Sequence, residues 1–153
     1  MRHCVVAGIA AVLLLGGPAI PSGAHAATPE EAKAFAEKAA AHVKKVGEAQ
    51  AFADFSRKDG GFVEGELYVF CYDHDGVNKA HGANPAFVGK NLLHIKDPDG
   101  KEANYEIVKT GFERGRGWVD FKWPNPVTKK IQRKSAYVIR THDVVCGVGY
   151  YKE

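Results

Sequence analysis

The chain has 153 residues, a length that favours a single domain, and 25% of its residues are charged. Its 21 Lys and Arg residues nearly balance 18 Asp and Glu residues, and the resulting net charge of +3 gives no electrostatic argument for binding nucleic acid or an anionic membrane surface. We therefore expect a globular domain that has no nucleic acid partner.

The first 26 residues have the pattern of a signal peptide. Arg2 gives a basic start, Val5–Leu15 is almost continuously apolar, and Ala24–Ala26 has the small-x-small form that signal peptidase accepts. The apolar run is shorter than the roughly 20 residues that span a bilayer, and the alternative is a retained amphipathic anchor. We expect residues 1–26 to be removed and residues 27–153 to form one domain in the periplasm or outside the cell, with no membrane span after cleavage.

A helix is predicted to begin at Thr28, which can form a capping box with Glu31. Apolar side chains then recur at helical spacing until Gly47 interrupts the pattern, which resumes as far as Phe55. The stretch from Ala32 to Phe55 is either one helix broken at the glycine or two helices that meet there. We expect it to pack on a sheet, and it could also pair with a second protomer to form a homodimer.

The segment Phe62–Tyr72 alternates like a β-strand and is apolar on both of its faces. One face would carry Leu67, Val69 and Cys71, and the other face would carry Tyr68, Phe70 and Tyr72. A strand with one side exposed to water would show polar residues on that side. This strand is therefore covered on both sides, or one of its sides lines a cavity.

Two acidic segments, Asp73–Gly76 and Asp97–Gly100, predict tight turns in which an aspartate bonds to its own backbone. Neither segment has the glycine and the glutamate that an EF-hand loop requires at fixed positions, so we expect no metal site. The loop between the two turns contains His81, which is either a structural hydrogen-bonding residue or a ligand contact.

The second half of the chain predicts a helix followed by three strands. Lys101–Phe112 has helical spacing, and Gly117–Trp123 alternates like a strand until Pro124–Pro126 ends it. A basic turn leads to a strand at Ala136–Ile139, and Val144–Tyr151 is the last strand, where two glycines permit close approach. The order of elements is a helix, two strands, a loop, a helix and three strands, which indicates an α+β domain.

Removal of the signal peptide would leave Cys71 and Cys146 in a compartment that favours disulfides. The two residues either form a disulfide or are small buried side chains on neighbouring strands. The sequence contains no C-x-x-C pair, G-x-S-x-G elbow, H-E-x-x-H motif or phosphate-binding glycine loop. The lack of catalytic motifs favours a binding module without a cofactor over an enzyme.

Three blocks of the chain carry a family resemblance. The first is Gly61–Phe70 with the turn at Asp73–Gly76, and the second is Ala80–Pro85 with Val88–Leu92. The third combines Gly117–Val119 and Trp123–Pro126 with Lys134, Tyr137 and Gly147–Tyr150. Together these blocks resemble the single Cache domain of type 2, an extracytoplasmic small-molecule sensor module of bacterial chemoreceptors and histidine kinases.

The resemblance implies a PAS-like fold, with a long N-terminal helix packed on a five-stranded antiparallel sheet and a ligand pocket on the other face of the sheet. Carried onto this chain, the pocket residues are Tyr68, Phe70, His81, Trp118, Phe121, Trp123, Lys134 and Tyr137. Strand alternation places Trp118 on the opposite face from Phe121 and Trp123, so all three can line the pocket only if a bulge intervenes.

The resemblance also implies a function, which is the sensing of a small organic acid or a similar metabolite without catalysis. Lys134 or His81 would bind a carboxylate through charge-assisted hydrogen bonds, while the rings enclose the apolar part of the ligand. The sequence stops at Glu153, so we expect such a sensor to act as a free periplasmic protein that passes its state to a membrane receptor or kinase, or else only to store or carry its ligand. The alternative is a protein-interaction module that fills its pocket with its own side chains and docks a partner on its exposed helix.

Overall fold

A computed structural model describes residues 26–152, so the predicted signal peptide lies outside the described residues except for Ala26. Within the described range, three α-helices pack against an antiparallel sheet of six strands. No helix in this range combines the length and the hydrophobicity that crossing a membrane requires. The α+β class predicted from the order of the elements is confirmed.

Gly47 divides the N-terminal helical stretch into α1 (Pro29–Val46) and α2 (Glu48–Phe55). The start of α1 is capped as predicted. The Thr28 hydroxyl accepts a hydrogen bond from the Glu31 N–H at 3.2 Å, and the Glu31 carboxylate accepts one from the Thr28 N–H at 2.8 Å. Gly47 has a φ of +83°, a conformation that favours glycine and ends the regular helix. Of the two arrangements expected, the structure shows two helices that meet at this glycine.

The sheet is antiparallel throughout, and its strands are β1 (Val63–Glu64), β2 (Leu67–Asp73), β3 (Asn78–His81), β4 (Arg116–Pro124), β5 (Ile131–Thr141) and β6 (Val144–Tyr151). The strand order is β1-β2-β6-β5-β4. The short strands β1 and β3 share the outer edge of β2. Helix α3 (Ala103–Arg114) and a 3-10 turn at Pro85–Phe87 lie between β3 and β4 in the chain. The long N-terminal helix on an antiparallel sheet is therefore confirmed.

The sheet separates two apolar cores, one on each of its faces. Leu67 and Val69 of β2 belong to the core under α1 and α2, which we call the helix face. Tyr68 and Phe70 belong to the core on the opposite side, where Ile107 of α3 also packs, and we call this the cavity face. Successive strand residues point to opposite faces, so one apolar run serves both cores. The sequence predicted either cover on both sides of this strand or a cavity on one side, and the structure shows a core on each face.

A disulfide joins Cys71 of β2 to Cys146 of β6. The two residues stand directly opposite each other in the antiparallel pairing, and their Cα atoms are 4.1 Å apart. Both side chains are buried in the core of the helix face. The bond connects positions 75 residues apart, so it restricts the unfolded chain more than the closure of a short loop would.

The two acidic turns bond to their own backbone as the sequence predicted. Asp73 Oδ1 accepts two backbone N–H hydrogen bonds at 2.9 and 3.1 Å, and Asp97 Oδ1 accepts two at 2.9 Å. Asp97 Oδ2 also accepts the Lys122 N–H at 3.0 Å, which holds the second turn against the edge strand β4. Among residues 26–152, no group of three or more His, Cys, Asp or Glu side chains is arranged to hold a metal ion.

Candidate functional site

A small cavity lies on the cavity face of the sheet, between strands β2, β4 and β5 and helix α3. Its strand residues are two positions apart, because every second side chain of a strand points to the same face. Strand β3 and helix α3 contribute the remaining side chains. The lining residues are Tyr68, Phe70, Tyr72, His81, Asn104, Ile107, Phe121, Trp123 and Lys134.

Lys134 of β5 is a buried cation surrounded by aromatic rings. Only 1% of the residue is exposed. Its Nζ lies 3.9 Å from the centre of the Tyr68 ring and 4.8 Å from the centre of the Tyr151 ring, and such ring faces attract an ammonium group. The Nζ also donates a long hydrogen bond of 3.4 Å to the Tyr151 hydroxyl. No carboxylate oxygen of residues 26–152 lies within 4.0 Å of this Nζ, so the charge has no direct counterion there.

Burial disfavours the charged form of Lys134. It lowers the pKa of the ammonium group well below its usual value, and the negative charge of Glu66 opposes that shift only in part. A carboxylate placed in the cavity would supply the missing opposite charge and would raise the pKa again. The cavity is therefore built to favour an anion next to Lys134.

Two glycines of β6 leave the space that Lys134 and Phe70 occupy. A Cβ at Gly149 would lie 2.4 Å from Lys134 Cε, and a Cβ at Gly147 would lie 2.8 Å from Phe70 Cζ. Both distances are shorter than van der Waals contact, so a side chain at either position would displace the lining of the cavity. The close approach predicted for this strand serves the long side chains of the neighbouring strands.

Tyr151 ties the cavity to the turn that follows β4. Its hydroxyl donates a 2.7 Å hydrogen bond to the Pro124 carbonyl oxygen and lies 3.4 Å from the Tyr68 hydroxyl. Burial raises the pKa of Tyr151 and of Tyr68, so both phenols keep their protons at neutral pH. Two neutral hydroxyl groups therefore stand beside the Lys134 ammonium group.

His81 at the end of β3 is buried and neutral. Burial, together with the charge of Lys134, lowers the pKa of His81 to about 3. Its Nδ1 accepts a 3.0 Å hydrogen bond from the Asn84 N–H, which places the proton of the neutral ring on Nε2. The ring packs 5.0 Å from the Tyr68 ring and 5.1 Å from the Phe87 ring. Such a histidine can donate a hydrogen bond through Nε2 but carries no charge at neutral pH.

The side chains nearly fill the cavity. The free volume of the cavity is about 10 Å³, which is room for about one water molecule. The rings of Phe121 and Trp123 pack edge to face at 6.0 Å and occupy one side. A ligand larger than water must therefore displace some of the lining side chains when it binds.

The whole cavity lies within the range of one known family. The family model described as Single Cache domain 2 matches residues 25–153. The chain belongs to this family. Cache domains are extracytoplasmic sensory modules, and nothing in the geometry of the residues described here indicates catalysis.

The Cache domain is similar to parts of two curated sensory proteins. It is 37% identical to the sensor histidine kinase MctS of Rhizobium johnstonii over 87 residues, which are 55% of this chain and 18% of that protein. It is 32% identical to the methyl-accepting chemotaxis protein McpP of Pseudomonas putida over 76 residues, which are 44% of this chain and 14% of that protein. The chain therefore matches less than a fifth of the length of either relative.

Solved structures have the same fold. A methyl-accepting chemotaxis protein from Vibrio parahaemolyticus superposes with a TM-score of 0.70 at 24% identity, over 80% of this chain and 86% of that one. A periplasmic sensor domain of a chemotaxis protein gives 0.64 at 26% identity, over 81% and 90%. A Cache chemosensory domain, described with the structural basis for its carboxylic acid recognition, gives 0.62 at 27% identity, over 78% and 83%.

The structure separates the residues predicted for the pocket of the Cache domain into two groups. Tyr68, Phe70, His81, Phe121, Trp123 and Lys134 all line the cavity. Trp118 and Tyr137 do not, because they lie on the helix face, where their rings are 5.0 Å apart. Trp118 is three positions from Phe121 in β4, so the two side chains point to opposite faces of the sheet. Tyr137 is the cross-strand partner of Trp118 in β5, so it points to the same face as Trp118. Their assignment to the pocket is corrected by this alternation.

Three lining residues and one neighbour were missed in the sequence. Tyr72 shares its face of β2 with Tyr68, so alternation alone could have identified it. Asn104 and Ile107 come from α3, and no local pattern shows which helix residues meet a cavity. Tyr151 contacts Lys134 through its hydroxyl and its ring, and its face follows from its spacing to Gly149 on β6.

Proposed function

We propose that the domain is an extracytoplasmic receptor module that binds a small organic carboxylate reversibly, without catalysis, in the cavity around Lys134. The cavity offers one cation and several apolar rings, which suits a ligand with one carboxylate and a short apolar part. The His81 Nε2–H is a neutral donor that can complete the hydrogen bonding of the carboxylate oxygens, whereas the Tyr151 hydroxyl already donates to the Pro124 carbonyl oxygen.

The buried ammonium group of Lys134 carries this proposal. A buried charge is costly unless an opposite charge and hydrogen bonds compensate it, and the described residues place only phenol oxygens and ring faces near the Nζ. A ligand carboxylate would remove that imbalance, whereas a neutral or cationic ligand would not. The similar Cache chemosensory domain described with its recognition of carboxylic acids supports the same ligand class.

The relatives support a signalling partner. One is a sensor histidine kinase and the other is a methyl-accepting chemotaxis protein. In both classes of protein a sensory domain reports its ligand state to a signalling domain. We therefore propose that this domain reports its ligand state to a membrane receptor or kinase.

The nearly filled cavity favours a second candidate function. If the rings of Phe121 and Trp123 always fill the cavity, no ligand can enter it. The domain would then act as a protein-interaction module whose N-terminal helices dock a partner or a second protomer. The concentration dependence of the mass in solution tests this alternative. A monomer at all concentrations that also binds a carboxylate would contradict it.

Thermal melting of the exported protein against a panel of ligands tests the first proposal. The panel pairs short and long monocarboxylates and dicarboxylates with the corresponding uncharged amides. A ligand that binds only the folded state adds about 2.7 kcal/mol of stability at a hundredfold excess over its Kd. We expect a rise with at least one carboxylate and no rise with its amide, and equal rises for both members of a pair would exclude the role of charge.

Two lysine variants give the control. Lys134→Met removes the buried charge but keeps an apolar chain of similar length, so we expect it to lose the response to carboxylates. Lys130→Met removes an exposed charge from the neighbouring turn, and its response should equal that of the unmodified protein. A Lys134→Met variant that binds carboxylates with unchanged affinity would remove Lys134 from the site.

A further inference from the structure

Glu66 holds the segment that precedes α1. The Ala27 N–H donates a 3.0 Å hydrogen bond to Glu66 Oε1, across 39 residues of sequence. Glu66 belongs to the two-residue turn between β1 and β2, and Ala27 is half-buried against the core of the helix face. The first residue before the Thr28 cap is therefore fixed by a carboxylate from a distant turn.

The second oxygen of Glu66 reaches another turn. Glu66 Oε2 accepts a 3.1 Å hydrogen bond from Asn125 Nδ2. Asn125 is 2% exposed, and its Oδ1 accepts the Val127 N–H at 2.8 Å, so this side chain shapes the turn between β4 and β5. One carboxylate thus joins the start of the folded domain to two turns of the sheet.

A backbone amide is a weaker partner for a carboxylate than an ammonium group is. The sequence predicts that an ammonium group forms at this position. The small-x-small pattern at Ala24–Ala26 predicts cleavage directly before Ala27. Hydrolysis of the Ala26–Ala27 peptide bond by a leader peptidase consumes one water molecule. It leaves a carboxylate on Ala26 and an amine on Ala27, which takes up a proton at neutral pH.

We propose that Glu66 is the binding site for the α-ammonium group of Ala27 that this cleavage creates, so that processing adds an ion pair that closes the N-terminus onto the sheet. Both oxygens of Glu66 are already placed, one 3.0 Å from the Ala27 nitrogen and one on Asn125. Little side-chain entropy is lost when the ion pair forms, and charge-assisted hydrogen bonds are stronger than neutral ones.

The ion pair predicts how stability depends on pH. The amine has Glu66 as its direct partner, and Glu30 and Glu31 follow it in the first turn of α1. Lys134 and Tyr151 are the other titratable groups that feel the charge of Glu66. An α-amine in an unfolded chain has a pKa of about 7.7–8.0. The partner carboxylate raises this pKa in the folded state, so the added stability is fully present below about pH 7.7 and is lost as the pH rises through the higher folded-state pKa.

The full chain with its own first 26 residues, expressed in an export-competent bacterium, is the protein to test. We expect the intact mass of the exported product to correspond to residues 27–153, and any other N-terminus would overturn the proposal. In the same product labelled with ¹⁵N-alanine, we expect the α-amine of Ala27 to titrate above pH 8.0 by NMR. A pKa of about 7.7–8.0 would show that no ion pair forms.

Glu66→Gln and Glu64→Gln form a matched pair of variants. Gln keeps the shape of Glu66 and one of its two acceptor oxygens but carries no charge, so the part of its effect that depends on pH reports the ion pair. Glu64 is an exposed glutamate two residues away on β1. We expect Glu66→Gln to melt about 1–4 °C lower than the unmodified protein at pH 7, with a difference that shrinks above pH 9. Equal melting of the two variants at pH 7 would overturn the proposal. None of these measurements involves a ligand, so their outcome is independent of whether the domain binds a carboxylate.

Discussion

Replacing Lys134 with methionine gives the sharpest prediction, because it removes a buried charge that the fold only partly compensates. The ammonium group is 1% exposed and has aromatic rings at 3.9 and 4.8 Å and a hydroxyl at 3.4 Å as its neighbours. Methionine has an unbranched side chain of similar length, so we expect it to lie beside Gly149 as the lysine does and to make favourable sulfur–aromatic contacts. We therefore expect Lys134→Met to be more stable than the unmodified protein while it loses carboxylate binding.

The magnitude follows from the neighbours of the charge. A buried ammonium group costs several kcal/mol relative to water. Two cation–π contacts stabilise the buried ammonium group by about 1–2 kcal/mol each, and the long hydrogen bond to Tyr151 stabilises it by less than about 1 kcal/mol. The net gain on removing the charge is about 1–3 kcal/mol, within the range seen when buried ionic groups are replaced by apolar ones. For a domain of this size that gain raises the Tm by roughly 4–10 °C.

The pH dependence separates this effect from ordinary repacking. Burial lowers the pKa of Lys134 in the folded state, whereas the unfolded chain has a lysine pKa of about 10.4. Between these two values the unfolded state binds a proton that the folded state does not, so the stability of the unmodified protein rises with pH in this window. The Tm difference should therefore be largest at low pH and should narrow towards pH 10.

Scanning calorimetry of both proteins from pH 6 to pH 10 measures this difference, and Lys130→Met is the control. The control removes an exposed lysine and should stay within about 0.5 kcal/mol of the unmodified protein. A Lys134→Met variant that is less stable by more than about 1 kcal/mol would refute the reasoning. A stability gain that does not change with pH would also refute it, because the gain would then come from packing alone.

Three further predictions rest on single contacts. Gly149→Ala places a Cβ 2.4 Å from Lys134 Cε, so we expect a loss of about 1–3 kcal/mol in urea denaturation, and an unchanged midpoint would contradict the packing. Replacing both Cys71 and Cys146 with serine opens a 75-residue loop in the unfolded chain and should lower the free energy of unfolding by about 4 kcal/mol, as measured by the same method. Because the pKa of His81 is about 3, its ¹⁵N resonances should not titrate between pH 5 and pH 8. The folded state should lose stability as the pH falls from about 6.5 towards 3, because only the unfolded chain binds the proton in that range. A titration midpoint of the His81 resonances near pH 6.5 would contradict the burial.

The alternation of apolar residues predicted the two-sided sheet because period 2 is a property of the backbone itself. In β2, the run from Leu67 to Tyr72 has apolar residues on both faces, and each face meets its own core. The capping box at Thr28 and the break at Gly47 were also predicted, since they depend on neighbours within a few residues. Local signals of this kind are independent of the rest of the fold.

The side of the sheet on which each aromatic residue lies depends on one reference position in each strand. In β4, Phe121 and Trp123 face the cavity, so Trp118, which is an odd number of positions from both, cannot do so without a bulge, and the β4–β5 register is unbroken. Tyr137 follows Trp118 because the two are cross-strand partners. Alternation in the sequence shows that Trp118 and Trp123 lie on opposite faces but not which of them faces the cavity, so Trp118 and Tyr137 were placed in the pocket by the family resemblance.

The contribution of α3 to the cavity could not be predicted, because it depends on the position and rotation of the helix relative to the sheet. Asn104 is 2% exposed and donates a 2.9 Å hydrogen bond to the Leu92 carbonyl oxygen, a contact between the helix and the loop before it. No periodicity in Lys101–Phe112 distinguishes a cavity residue such as Ile107 from an ordinary core residue. The volume of the cavity is likewise a result of tertiary packing.

The buried charge and the filled cavity together determine what a ligand must do. Side chains leave room for about one water molecule, so a carboxylate binds only after Phe121, Trp123 or Lys134 has moved, and the free energy of that movement weakens the apparent affinity. The described residues place no carboxylate within 4.0 Å of the Lys134 ammonium group, so the counter-charge of a ligand is a new interaction that can offset the opening. An apolar molecule of the same shape has no such compensation, because the rings already bury each other in the closed state. If opening is driven in this way, Lys134→Met should close the cavity permanently. A receptor then binds a carboxylate as the unmodified protein and not as the variant, whereas a module that never opens binds it in neither form.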